Sequence, residues 1–128
     1  MRILYYLEAG NETIEVSDSG KRRINQPAKK VFEALCLEEV STLKGRIEAA
    51  RALFGYKYNV PIFVNPALLL YKIGDGSKYW LNYFEVASVL NSGEGTDFLF
   101  KNGEVLKTKA SYRSSVQAHR RAQRISER

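Results

Sequence analysis

The sequence predicts an α+β domain with a mostly antiparallel sheet and two or three helices, one of them a basic C-terminal helix. Short runs of β-branched and aromatic residues alternate with turn sequences, which is typical of neighbouring antiparallel strands. Other segments space their apolar residues three and four positions apart, as helices do. The chain has 128 residues, of which 45% are hydrophobic, so we expect one core and a single domain over residues 1–128.

The chain opens with a predicted hairpin followed by a basic cluster. Residues 3–7 and 13–16 are β-prone runs on either side of a turn at residues 10–11, so they are expected to pair. Residues 17–20 are interpreted as a loop that leads into the basic triplet 21–23. Such a triplet indicates either a solvated surface or a set of phosphate contacts.

Two helices are predicted next. Pro27 suits the first turn of a helix, and the apolar spacing after it predicts a helix to about residue 39. Thr42, or the serine before it, is a candidate N-cap of a second helix that Gly55 would end. Gly45 costs a helix interior about 1 kcal/mol relative to Ala. The sequence therefore leaves open a turn at Gly45, with the helix starting after it.

Strand patterns follow these helices. Residues 60–64 and 67–73 are apolar runs separated by an Asn-Pro turn, which predicts two strands, the first of them buried. Residues 74–77 are another predicted turn, and residues 78–90 are a longer β-prone stretch. Trp80 in that stretch is interpreted as a packing residue, and a base-stacking platform is the alternative.

A second hairpin is predicted around the Asn-Gly sequence at residues 102–103. Asn-Gly favours a type I′ turn because both central residues of that turn need positive φ. If Lys101 faces Glu104 across this turn, Phe100 lies opposite Val105. Leu99 then lies opposite Leu106, so both faces of the hairpin are expected to be apolar near the turn.

The remaining residues predict a helix with two different sides. At about 100° per residue, the small apolar side chains form one stripe. This stripe consists of Ala118, Ala122 and Ile125. The other side carries Arg120, Arg121, Arg124 and Arg128. One side can therefore pack on the domain while the other presents guanidinium groups.

The net charge is concentrated in this last part of the chain. Residues 1–100 contain twelve Lys or Arg and twelve Asp or Glu, whereas residues 101–128 contain eight and two, which accounts for the whole net charge of +6. A localised basic face is expected for a polyanion partner, because Lys and Arg release condensed counterions from a phosphate backbone. The preference for arginine favours nucleic acid over the alternative, a frayed solubilising tail.

The sequence argues against an enzyme. It has no P-loop and no dinucleotide-binding glycine motif, and its acidic residues have no paired spacing. The single Cys36 and single His119 exclude an internal disulfide and a Cys/His zinc cluster, and no cofactor is expected. Cys36 is interpreted as a buried, inert thiol. His119 is interpreted as a border residue or an extra DNA contact whose protonation is opposed by the neighbouring arginines.

No apolar run approaches the length that spans a bilayer, and the N-terminus lacks the features of a signal peptide. We therefore expect a cytoplasmic protein.

Several short segments, taken in order, resemble the competence transcription factor (ComK) family over residues from about 30 to 123. They are Cys36-Leu37, Gly45-Arg46-Ile47-Glu48-Ala49-Ala50-Arg51, Val60-Pro61-Ile62-Phe63-Val64, Trp80-Leu81-Asn82-Tyr83, Phe98-Leu99-Phe100-Lys101-Asn102-Gly103, Ser111-Tyr112, Gln117 and Arg121-Ala122. The resemblance implies a bacterial transcriptional activator that binds AT-rich promoter boxes, largely through the minor groove. It further implies dimers that pair into tetramers, with RNA polymerase as a candidate partner.

Larger members of that family continue into a tail that adaptor proteins use to deliver them for degradation. The last residue of this sequence is Arg128. Control by such proteolysis is therefore not expected, and the protein is expected to stop at a dimer if the tail also helps tetramers to assemble.

The main hypothesis is a cytoplasmic regulator that binds double-stranded DNA as a homo-oligomer, with no catalysis. The predicted DNA contacts are Arg113, Arg120, Arg121 and Arg124. The predicted supporting phosphate contacts are Lys107, Lys109, Lys21, Arg22 and Arg23. One rival is a non-catalytic interaction protein that pairs with a full-length regulator or with another partner. The other is a LytTR-like DNA-binding domain, suggested by the order of Trp80-Leu81-Asn82 and Asn102-Gly103.

Overall fold

The computed structural model of the protein describes residues 1–74, 76 and 78–128. Within these residues the strands are β1 (Ile3–Ala9), β2 (Glu12–Ser17), β3 (Gly20–Ile24), β4 (Ile62–Asn65), β5 (Leu68–Lys72), β6 (Tyr79–Asn82), β7 (Val86–Asn91), β8 (Thr96–Phe100) and β9 (Val105–Thr108). The α-helices are α1 (Ala28–Glu38), α2 (Leu43–Phe54) and α3 (Tyr112–Ser126), and a 3-10 helix spans Tyr83–Glu85. The predicted α+β class with a C-terminal helix is confirmed.

The strands form two antiparallel sheets. The larger has six strands in the order β3-β2-β1-β6-β5-β4, and the smaller has three in the order β7-β8-β9. The predicted N-terminal hairpin is β1 and β2, and the two apolar runs after the helices are β4 and β5. The predicted turn at residues 74–77 includes Asp75 and Ser77, which lie outside the described residues.

The basic triplet near the N-terminus lies on a strand, β3, which the sequence patterns did not predict. β3 pairs with β2, which places Arg22 opposite Glu15. Arg22 Nε lies 3.2 Å from Glu15 Oε1, and Arg23 Nη1 lies 3.0 Å from Glu12 Oε2. These cross-strand ion pairs allow a basic segment to form the edge of a sheet.

The stretch predicted as one long β-prone segment, residues 78–90, is divided between the two sheets. The division begins at Asn82, whose side chain is fully buried. Asn82 Oδ1 accepts hydrogen bonds from the amides of Leu69 and Phe84 at 3.1 and 3.3 Å. Its Nδ2 donates to the carbonyls of Ile3 and Ala67 at 2.8 and 3.0 Å. The side chain thus starts the 3-10 helix that carries the chain from β6 to β7.

The β8–β9 hairpin is shifted by one residue from the predicted register. Leu99 lies opposite Val105, and Phe98 lies opposite Leu106. The amide of Gly103 donates to Phe100 O at 2.9 Å, and Gly103 has φ of 95°. Only the glycine of the Asn-Gly pair has positive φ, which fits a longer turn with a G1-type bulge and not the predicted type I′ turn. In the observed register, the pair Phe98 and Leu106 lies on a buried face of the hairpin, whereas Val105 lies on the exposed face.

The two central helices have the predicted ends. Pro27 precedes α1, Thr42 caps α2 by accepting the amide of Gly45 at 2.9 Å, and Gly55 ends it with φ of 73°. The alternative turn at Gly45 was wrong, because this glycine lies in the capped first turn of α2. A Cβ there would lie 2.8 Å from Thr42 Oγ1, so a larger residue would press on the cap.

The six-stranded sheet separates two hydrophobic clusters. Along β5, Leu68 and Leu70 face the cluster that α1 and α2 cover, whereas Leu69 and Tyr71 face the other. The second cluster also contains Phe98 of the small sheet and other side chains from β7 to β9 and α3. The helix α3 therefore lies on the opposite face of the large sheet from α1 and α2. Among the described residues, no helix has the length and apolar character to cross a membrane.

Candidate nucleic-acid interface

The helix α3 is held against the core by its small side chains. Ser111 caps it by accepting the amide of Ser114 at 3.4 Å. Ala122 is fully buried, and Ala118 and Ile125 pack against the same cluster, which confirms the predicted stripe. Ser115 is also fully buried and was not part of the prediction. The arginines therefore project from the side of α3 that faces away from the core.

An open groove of about 1030 Å³ lies between this side of α3 and residues 55–58, the segment that follows α2. Its cationic side chains are Lys57, Arg113, Arg120, Arg121 and Arg124. None of the described lining residues is acidic, and among the described residues none of these five cations forms a salt bridge. We call this surface the basic groove. It brings together the four arginines predicted as DNA contacts.

Arg121 differs from its neighbours because the protein itself uses its guanidinium group. Arg121 Nη2 donates to Tyr58 O at 2.8 Å, and its guanidinium carbon lies 4.2 Å from the centre of the Tyr56 ring. Tyr56 Oη in turn donates to the Arg121 carbonyl at 3.5 Å. Burial lowers the pKa of Arg121 from its ordinary value. Arg121 therefore holds the 55–58 segment against α3, and this segment forms the wall of the groove opposite the helix.

Three tyrosines and a lysine in the basic groove were missed in the sequence. Tyr58 is 79% exposed and Tyr112 is 39% exposed, although both carry large rings. Tyr56 and Lys57 complete the wall opposite α3. The Tyr-Lys-Tyr sequence just after Gly55 was the one local sign that this segment belongs to a binding surface. Its position beside α3 depends on a contact across 63 positions of sequence, which local patterns do not specify.

The supporting lysines lie outside this groove. Lys107 lies on β9 opposite Asp97, and its side chain is exposed. Lys109 lines a separate cleft of about 420 Å³ together with Lys78. The structure therefore does not join Lys107 and Lys109 to the basic groove.

The triplet Lys21, Arg22 and Arg23 is also separate. It lies on β3, one edge of the large sheet, whereas the 55–58 segment leads towards β4 at the other edge. Arg22 and Arg23 face carboxylates of β2, as described above. Two of these three cations are thus already compensated within the protein.

His119 lies on the inward border of α3. Its Nδ1 is 2.8 Å from Tyr71 Oη, and its ring centre is 4.9 Å from that of Tyr83. Burial lowers the pKa of His119 below its ordinary value. The direction agrees with the sequence interpretation, but the cause is loss of solvation and not the neighbouring arginines.

Trp80 and Cys36 take the structural roles that were predicted. The Trp80 ring centre lies 5.2 Å from that of Phe32, so it packs against α1. Cys36 is fully buried, and burial raises the pKa of its thiol.

The comparison with protein families decides the identity. A family model described as ComK protein matches residues 3–127, nearly the whole chain. The chain belongs to the ComK family. ComK is a family of competence transcription factors, so the protein is assigned to transcription regulation. Comparison with curated proteins and with solved structures gave no match.

The side chains of the basic groove indicate which kind of ligand it could bind. Guanidinium groups without internal carboxylate partners can bind phosphate oxygens through charge-assisted hydrogen bonds. Exposed tyrosine rings beside them can pack against sugars or bases. The groove is therefore suited to a nucleic acid, and its described lining residues include no paired acids that could act in catalysis.

Proposed function

We propose that this ComK family protein is a transcriptional activator that binds AT-rich double-stranded DNA through the basic groove. The observation that carries the proposal is the set of cations around one groove, without a carboxylate among the described lining residues. A helix positions most of them, so little backbone conformational entropy is lost when DNA binds. The proposed DNA is a duplex whose narrow minor groove attracts arginine side chains.

The arginines have different proposed roles. Arg120 and Arg124 are exposed on α3 and would contact phosphates or enter the minor groove. Arg113, in the first turn of α3, would contact the backbone. Arg121 would act mainly by holding the 55–58 segment, since its guanidinium already bonds Tyr58 O. Lys57 on that segment would contact the phosphates on the other side of the groove.

Lys107, Lys109 and the 21–23 triplet are proposed only as secondary phosphate contacts. They lie away from the basic groove, so they would reach DNA only if the duplex bends around the domain or if a second copy extends the surface. Binding as a homodimer would supply such a surface and would match a two-fold symmetric DNA site. Contact with RNA polymerase is proposed to follow from DNA binding.

The proposal is tested by fluorescence anisotropy with an AT-rich and a GC-rich duplex of equal length, each at two salt concentrations. We expect tighter binding to the AT-rich duplex and weaker binding to both at higher salt. Equal affinity for both duplexes would contradict AT recognition and favour a general polyanion surface. No binding to either duplex would contradict the proposal and favour the rival interaction protein.

A further inference from the structure

A second cleft, of about 330 Å³, lies between α2, β4 and the end of α3. We call it the apolar cleft, because most of its lining is hydrocarbon. Ala49, Leu53, Phe54, Phe63 and Ile125 contribute this lining. Its volume is at the lower end of the range for small-molecule pockets, about 300 to 1,000 Å³. Leu53 lines this cleft and is 53% exposed as a whole residue, so a bound hydrocarbon would cover apolar surface that now faces water.

The charged groups at the apolar cleft have one sign. Arg46 and Arg128 line it, and none of the described lining residues is acidic. Ser126 is the other polar side chain, and its hydroxyl already donates to Gln123 O at 2.7 Å. The cleft therefore offers guanidinium donors to a ligand, whereas a cationic ligand would meet two like charges.

At the apolar cleft, Arg46 lies beside an aromatic ring. Its guanidinium carbon lies 5.6 Å from the centre of the Phe63 ring, which holds the side chain at the cleft. Its Nε is buried with no hydrogen-bond partner, and among the described residues Arg46 forms no salt bridge. This differs from Arg22, which meets a carboxylate of the neighbouring strand. The planar fork of Arg46 suits a carboxylate.

We propose that the apolar cleft binds a small monocarboxylate with a hydrocarbon tail. The carboxylate pairs with the terminal nitrogens of Arg46, and the tail lies along Leu53, Phe54 and Phe63. A charged head and an apolar tail together match the two parts of the lining. Among the described residues, the apolar cleft shares no lining residue with the basic groove, and the proposal does not depend on the protein binding DNA.

The cleft is joined to the basic groove through one side chain. Phe54 lines the apolar cleft, and its ring is stacked on Tyr56 with the centres 5.6 Å apart and the planes at 12°. The guanidinium carbon of Arg124 lies 6.0 Å from the centre of the same Phe54 ring. A ligand that orders Phe54 should therefore alter the environment of Tyr56 as well.

The test is a titration of the protein with octanoate, followed by two-dimensional NMR of amide and aromatic groups. We expect saturable shifts at Ala49, Leu53 and Phe54, smaller shifts at Tyr56, and unchanged signals from β3. Octylamine should bind much more weakly, because its ammonium group would face the arginines. Shifts that do not saturate, or equal binding of octylamine, would overturn the proposal.

Matched variants of α2 locate the ligand. Arg46→Gln should weaken octanoate binding about tenfold, the loss expected for one charge-assisted pair, whereas Lys44→Gln should leave it unchanged. Ala49→Phe should fill the cleft and abolish binding, whereas Ala52→Phe, at an exposed position of the same helix, should not. Thermal melting would check that each variant is folded.

Equal octanoate affinity in Arg46→Gln and Lys44→Gln would overturn the proposal. So would cleft signals that change with protein concentration and not with octanoate, the result expected if a second copy of the chain fills the cleft.

Discussion

The guanidinium carbon of Arg121 lies 4.2 Å from the centre of the Tyr56 ring, and its Nη2 donates to the carbonyl of Tyr58. This contact joins residues from two distant parts of the chain. It turns an isolated helix face into a groove with two walls. Arg121 is therefore a positioning residue first, although it also contributes positive charge.

Arg121→Ala should destabilise the protein by about 1 to 2 kcal/mol, because a hydrogen bond and a cation–π contact are lost together. Arg120→Ala should change the free energy of unfolding by less than about 0.5 kcal/mol, since this side chain is exposed. Urea unfolding of both variants measures the difference. Equal stability of the two would contradict the positioning role.

Lowering the pH should destabilise the protein through His119. Burial lowers the pKa of His119 in the folded state below its ordinary value of 6.5, so the unfolded chain binds the proton more readily. This contribution to stability is present above pH 6.5 and is lost as the pH falls through the folded-state pKa. His119→Gln, which can still accept a hydrogen bond from Tyr71, should lose less stability than wild type between about pH 7.5 and 5.5.

The test is the urea midpoint of unfolding of wild type and of His119→Gln, measured between about pH 7.5 and 5.5. Parallel pH profiles would show that His119 does not carry the effect.

Glu15→Ala should destabilise the protein by about 2 kcal/mol. Glu15 is 5% exposed, accepts a hydrogen bond from Tyr6 Oη at 2.9 Å and pairs with Arg22, so its loss leaves a buried hydroxyl without a partner. Glu12→Ala is the control, because its pair with Arg23 is more exposed and should contribute about 0.5 kcal/mol. A similar loss in both variants would contradict the importance of the buried hydroxyl.

Asn82→Ala should cost about 2 to 4 kcal/mol, because two backbone groups of the large sheet, one of the turn between β4 and β5 and one of the 3-10 helix lose their partner. Asn91→Ala is the matched control, since the Asn91 side chain accepts one exposed hydrogen bond from Gly93. Calorimetric melting would compare them. A loss at Asn82 no greater than at Asn91 would contradict the proposed role at the junction of the sheets.

Local patterns predicted most of the secondary structure. The caps Thr42 and Gly55 act within one helical turn, so the sequence indicated both ends of α2, although it left open a later start after Gly45. The β8–β9 register was wrong because Asn-Gly is compatible with more than one turn, and the one formed leaves only Gly103 with positive φ. β3 was missed because its charges are balanced by a neighbouring strand, a property that its own residues do not reveal.

The candidate site was predicted in part, because local patterns reveal one wall of the groove and not the other. Helical periodicity placed Arg120 and Arg124 on the outward side of α3, where the structure has them. The opposite wall, with Tyr58 and Lys57, comes from a segment more than fifty positions earlier in the chain. The tertiary contact made by Arg121, which no local pattern specifies, helps to hold it there.

The measurement that tests the central claim most directly is the salt dependence of AT-rich duplex binding by wild type and by Arg120→Ala and Arg124→Ala. If these side chains contact phosphates, each variant should reduce the slope of log affinity against log salt by about one. Lys44→Ala, on the exposed surface of α2, is the control and should leave the slope unchanged. Slopes equal to that of wild type in both arginine variants would contradict DNA binding through the basic groove.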